Sequence, residues 1–228
     1  ALFLERWQEL LVKTLSSSAA ADTPARQAFL ELIRDWDAHA SADSVGYTLV
    51  RSFRLHVRDT LFASVLAPLS KHDENFRYLD AHRQMEGPLW ELVTREPKGW
   101  LPKDHASWNE FLLACVDETA AQLTEDDTEL SMQTWGKHNA PTLSHPLSRM
   151  VPALGRWLDM PNMALPGDSH MPRVQSGKLG SSERMVVSPG HEENGILHMP
   201  SSQTGHIWAP YFGKGHLDWV EGKATPFL

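Results

Sequence analysis

Seven of the twelve histidines fall after residue 131, and this part of the chain holds the side chains with the widest chemical range. His138, His145, His170 and His191, with Asp168, Glu192 and Glu193, supply nitrogen and carboxylate donors of the kind zinc or iron takes. No H-E-x-x-H, H-x-H or paired C-x-x-C spacing gathers them, so they read more simply as surface or hydrogen-bonded imidazoles. A serine hydrolase built on a G-x-S-x-G turn is excluded too, because Gly180-Ser181-Ser182 does not complete that turn. Gly177 to Gly180 opens no G-x-x-x-x-G-K-[ST] phosphate loop and reads as a turn. Nine tryptophans suggest ligand contacts, above all Trp208 with Tyr211, Phe212 and Trp219, although such aromatics more often pack a sheet against helices. Gln203 is the polar loop residue of most interest, with backbone hydrogen bonding as its simplest role. Glu125, Asp126, Asp127 and Glu129 read as a solvated helix end.

The elements that position these groups divide the chain near residue 130. Only Gly46, Gly87 and Gly99 of the 14 glycines, and five of the 15 prolines, precede that point, so residues 1–130 can be mainly helical and residues 131–228 cannot. Leu2, Phe3, Leu4, Trp7, Leu10, Leu11 and Leu15 recur at helical spacing over 1–15. After a linker over 16–21, Asp22 or Thr23 caps a second helix with Pro24 in its first turn, ending near Asp37. Asp43 is expected to cap a third helix, marked by Val45, Leu49, Val50, Phe53, Val57 and Leu61 and ending before Pro68. A helical stretch over 74–95 is expected to break at Gly87-Pro88, and Ser107 with Glu110 forms a capping box ahead of a fifth helix. Ser131 to Gly136 alternates like a strand, and 141–172 reads as irregular. Arg184 to Ser188 and Ile196 to Met199 read as two strands joined by a polar turn. The fold class is therefore α+β.

A net charge of −8 with no basic stripe argues against nucleic acid as a partner, and no apolar run reaches membrane-spanning length. The single cysteine, Cys115, forms no internal disulfide and sits in an apolar helical setting.

The order of residues from Ser181 to Phe227 resembles the C-terminal end of the β chain in the penicillin acylase family, which are N-terminal-nucleophile (Ntn) hydrolases. The residues that carry the resemblance are S-x-R-M-V-V at 182–187, P-x-x-Q-[ST]-G at 200–205, A-P-Y-F at 209–212 and W-V-x-G-x-x-x-P-F at 219–227. T-W-G-K-H at 134–138, S-H-P at 144–146 and D-S-V-x-x-T-L at 43–49 extend it upstream. The chain departs from the family's usual P-G-G-Q-S-G loop at Ser201, Ser202 and Thr204.

The resemblance implies that the strands complete an αββα Ntn core whose other strands lie upstream. It implies hydrolysis of a linear amide, such as a β-lactam side chain or an N-acyl-homoserine lactone, by a nucleophile that is the first residue of a mature chain. Ala1 has no such side chain, so the nucleophile is expected upstream and this portion alone is expected to be inactive, with no catalytic or metal-ligating residue carried onto it. The partners implied are the remaining α and β segments of the same precursor and a small amide substrate, with calcium allowed in the whole enzyme and a periplasmic or secreted location. In isolation, unpaired strand edges would invite strand-exchanged self-association. A non-catalytic helical interaction module remains the alternative from a different class.

Overall fold

The computed structural model describes residues 2–16, 23–73, 75–76, 84–176 and 179–226. They form two compact units. The first comprises residues 1–38 and 45–133, and the second comprises 39–44 and 134–228.

The first unit is helical: α1 (Glu5–Leu15), α2 (Pro24–Arg34), α3 (Val45–Ser70), α4 (Glu86–Arg95) and α5 (Trp108–Leu123). Trp7, Leu11 and Leu15 recur every four residues along α1, so one face is apolar and fully buried. It packs on α2, α3 and α5, which contribute Phe29 and Ile33, then Phe53, Val57 and Leu61, then Phe111 and Val116. Each of these fully buried side chains is worth about 2 kcal/mol relative to exposure. Gly46 permits the close approach of the last turn of α2 and the residues after it, because a Cβ there would stand 2.6 Å from the Trp36 Cβ and 3.1 Å from the Leu32 carbonyl.

The helix ends follow the expected chemistry in most places. The Thr23 hydroxyl accepts from the Arg26 N–H at 3.3 Å, and the Ser107 hydroxyl accepts from the Glu110 N–H at 3.1 Å. Glu110 reaches back to the Ala106 N–H at 2.9 Å, one residue beyond the usual box. Gln8 donates to the Ile33 carbonyl at 2.7 Å and so satisfies the end of α2 from a neighbouring helix.

Four expectations are corrected. α3 starts at Val45, which puts its cap position on Ser44 and not on Asp43, and it runs through Pro68 to Ser70. A proline two residues from a helix end removes a single hydrogen bond, which the rest of a 26-residue helix tolerates. Gly87 and Pro88 do not break a helix. They lie in the first turn of α4, where a proline's missing N–H costs little; residues 74 and 77–83 of the expected stretch, like residues 17–21 of the linker and the cap candidate Asp22, lie outside the described residues. Ser131 to Gly136 is not a strand: a 3-10 turn covers Leu130–Met132 and a short helix, α6, covers Trp135–His138. Residues 141–172 also contain helical turns, α7 (Pro146–Met150) and α8 (Gly155–Leu158).

The second unit contains these short helices, two antiparallel pairs and α9 (His216–Glu221). Strand β1 (Gln175–Ser176) pairs with β2 (Leu179–Gly180), and β3 (Arg184–Val186) pairs with β4 (Ile196–His198) in the register Arg184 with His198 and Val186 with Ile196. The α+β class holds, with strands at the two positions the apolar runs mark. Segment 39–44 joins this unit through backbone bonds: Trp135 N–H to Ser44 carbonyl at 2.8 Å, Gly136 to Ala42 at 2.6 Å and Gly167 to Ala40 at 2.9 Å. Gly136 is required there, since a Cβ would meet Ala164 at 2.6 Å and the Ala42 carbonyl at 2.8 Å.

Candidate functional site

The W-V-x-G segment builds a buried side-chain assembly in the second unit. Trp219 is fully buried on α9 beside Leu165 and Val220, with Leu143 and Met163 packed against them. Its indole N–H donates to the Ser181 carbonyl at 2.9 Å, and a Cβ on Gly180 would lie 2.6 Å from its ring. Gly222 ends the helix in the left-handed region at φ 68°, where its N–H donates to the Asp218 carbonyl at 2.8 Å.

Two arginines close that helix end. Arg184, from the S-x-R-M-V-V strand, donates to the Trp219 carbonyl at 3.0 Å, and Arg173 donates to the Val220 carbonyl and, at 3.0 Å, to Gln175. Cations at a helix C-terminus face the negative end of its dipole. Burial lowers the pKa of both guanidinium groups, and the Arg184 charge adds to the effect on Arg173. Cross-strand from Arg184 lies His198, buried, with its Nε2 2.8 Å from the Thr225 hydroxyl. Burial first, then the charge of Arg184, lowers the His198 pKa, against an opposing pull from Asp218. His216 stacks on Trp219 at 6.0 Å and donates from Nδ1 to the Pro200 carbonyl at 2.6 Å, anchoring the P-x-x-Q-T-G loop. Composition singled out neither His198 nor His216; the signal available was their position beside the β3–β4 pair and the W-V-x-G segment.

The other histidines stand apart. His138 is exposed at the end of α6, and His145 caps α7 by accepting the Leu147 N–H at 3.1 Å. His170 is exposed in the turn that follows Asp168, whose buried carboxylate accepts the Ser169 N–H at 2.6 Å. His191 is exposed 3.8 Å from Glu193, and Glu192 accepts the Gly190 N–H at 2.9 Å. Among the described residues no three His, Cys, Asp or Glu side chains converge as a metal site would require. Gln203 is exposed, and its amide points at the Met199 thioether at 3.6 Å instead of loop backbone. Of the aromatic group only Trp219 forms core; Trp208 and Tyr211 are 77% and 60% exposed.

Three hydroxyl groups have partners that resemble catalytic pairs, and none has the geometry of an activated nucleophile. Thr60 and Glu118 both approach the same nitrogen of His56, at 3.5 and 2.6 Å, so the carboxylate cannot orient one ring nitrogen while the other takes a proton. His198 contacts Thr225 without a carboxylate on its Nδ1. Ser148 donates directly to Asp159 at 2.5 Å, with no imidazole between them. That bond, followed by one from the His145 N–H, lowers the Asp159 pKa. The arrangement supports helix ends and loops; it does not poise a hydroxyl for attack.

The family model described as penicillin amidase matches residues 3–228. No curated protein matches.

Proposed function

The chain belongs to the penicillin amidase family, an amide-hydrolysing family, and from that premise we propose that it forms the C-terminal part of the catalytic β chain of an Ntn amidohydrolase. In this reading an upstream Ser, Thr or Cys at a mature N-terminus attacks a linear amide, its own α-amino group takes the proton, and water releases the acyl group. Candidate substrates are β-lactam side-chain amides and N-acyl-homoserine lactones. The reading places the enzyme in the periplasm or outside the cell. It allows a calcium ion in the whole enzyme.

The family match over 3–228 carries the reading. Two features support the C-terminal assignment. The segments resembling the end of the β chain supply Trp219, Val220 and Arg184 to the Trp219 assembly. The second unit also presents Met185, Val186 and Val187 on and beside β3, at 71%, 56% and 52% exposure, as a strand awaiting apolar neighbours would.

The test is to express the complete gene and examine the purified product by intact mass spectrometry together with acid release from a phenylacetyl amide and an N-acyl-homoserine lactone. A chain starting at Ser, Thr or Cys, with hydrolysis abolished by its replacement with Ala, supports the reading. Hydrolysis by the 228-residue chain alone, or an unprocessed product without activity, overturns it.

A further inference from the structure

The first unit contains an open groove of about 870 Å³ lined by α2, α5 and the 3-10 turn at Leu130. Its floor is short and apolar: Ala25, Ala28 and Leu32 from α2, and Ala120 and Ala121 from α5. Alanine side chains end too close to the backbone to fill the space between two helix surfaces, so the groove follows from the sequence. Ala25 to Leu32 spans seven residues, a wall about 10 Å long, or two helical turns.

The rim is acidic. Asp117 is neutralised by Arg26, whose Nε and Nη2 donate to its two oxygens at 2.8 and 2.6 Å. Glu31 and Glu129 are not: both are exposed at the groove, Glu129 accepts only the Ser131 hydroxyl at 3.1 Å, and among the described residues Glu31 forms no ion pair. Arg26 is already engaged with Asp117, and none of the residues lining the groove is a Lys or Arg. The groove is thus long, apolar, shallow enough to be open along its length, and edged with uncompensated negative charge.

We propose that this groove is a docking site for a basic amphipathic helix of another polypeptide, with its apolar stripe on the alanine floor and flanking Lys or Arg beside Glu31 and Glu129. Small residues let a third helix approach to the lower end of the usual 8–10 Å interaxial range, and an apolar stripe at i, i+3, i+4 and i+7 matches walls two turns long. Charge complementarity selects a basic partner and repels an acidic one. The site is independent of the amide-hydrolysing reading and uses none of the residues around Trp219.

The probe is a synthetic peptide of about eighteen residues carrying a leucine stripe flanked by lysine, with a twin flanked by glutamate, titrated into the product of the complete gene by fluorescence anisotropy. The lysine peptide saturates and the glutamate twin does not bind. Ala121→Trp fills the groove from an exposed helical position and weakens binding by about tenfold or more, while Glu31→Lys with Glu129→Lys weakens it and removes its salt dependence. Circular dichroism confirms that each variant keeps its helices, and the two variants perturb different parts of the site. Equal binding of both peptides, or unchanged binding by Ala121→Trp, overturns the proposal.

Discussion

The two units reach a fixed structure by different routes. In the first, long helices interlock apolar side chains: Trp7, Phe29, Phe53, Val57 and Phe111 are all fully buried. In the second, regular structure is sparse, and side chains take over the work of satisfying backbone. Asn139, fully buried, donates to the carbonyls of Leu165 at 2.8 Å and Gly167 at 3.2 Å, and Trp135 donates to Gly167 at 2.7 Å. The first unit spreads its stability over many similar contacts, whereas the second concentrates it in a few polar bonds and the two buried indoles of Trp135 and Trp219. The first therefore loses stability in increments, and the second is vulnerable at single residues.

The strongest way to expose that contrast is Trp219→Ala. It removes the centre of the second unit's core and should cost about 3–5 kcal/mol. Hydrogen exchange should show the amides of 134–226 losing protection while α1, α2, α3 and α5 keep theirs; uniform loss across both units would erase the contrast. Gly180→Ala tests the same assembly from the other side. The new methyl meets the Trp219 ring, which has no flexible end to yield, and the overpacking should cost about 1–3 kcal/mol in chemical denaturation.

A smaller effect is expected from the first unit's principal polar contact. Glu86 accepts from Arg6 at 2.6 Å, Trp7 at 2.9 Å and Arg54 at 2.8 Å. Burial alone would raise its pKa, but the hydrogen bonds from Arg54, Trp7 and Arg6 together with the Arg54 charge outweigh it and lower the value below 4.5. The unfolded chain then binds this proton first as pH falls. The stabilisation is complete above about pH 4.5 and is lost as pH drops through the folded value. Glu86→Gln should flatten the acid limb of a stability-against-pH curve; an unchanged slope would remove Glu86 as its source.

Least disruptive is a chemical probe of Cys115. Burial, aided by the Glu118 charge, pushes its thiol up to about 12. Iodoacetamide at pH 8 should leave it unmodified in the folded chain and label it in guanidinium, as read by mass spectrometry. Rapid native labelling would show α5 opening readily and weaken the picture of a rigid first unit.

Apolar residues at regular spacing were legible in the sequence, and so were caps. The helices of the first unit followed from Trp7, Leu11 and Leu15 and from Thr23 and Ser107, and the β3–β4 pair followed from two short apolar runs around a polar turn. The strand expected over 131–136 failed for an instructive reason. Met132 is 63% exposed, while Gln133 is buried and donates to the Thr128 hydroxyl, so the polar side chain faces in and the apolar one out. Periodicity cannot anticipate a buried glutamine that has found a partner five residues away. The aromatic group was only partly legible, because Trp208 and Trp219 are the same residue type in similar company and differ only in what the rest of the fold brings to them. The roles of Arg184, His198 and His216 were invisible for the same cause: each depends on a contact 16 to 35 residues away in sequence.

Segment 39–44 carries a consequence for how the chain is made. Its Ala40 carbonyl waits for the N–H of Gly167, which emerges from the ribosome 127 residues later. The helices on both sides of that segment can form during synthesis, whereas the Ala40 and Ala42 carbonyls between them wait for the N–H groups of Gly167 and Gly136. Closing contacts of that separation is slow compared with local helix formation. Translation thus leaves an early-made segment as a waiting acceptor, and the order of assembly is written into the chain as a delay between one piece of the second unit and the rest.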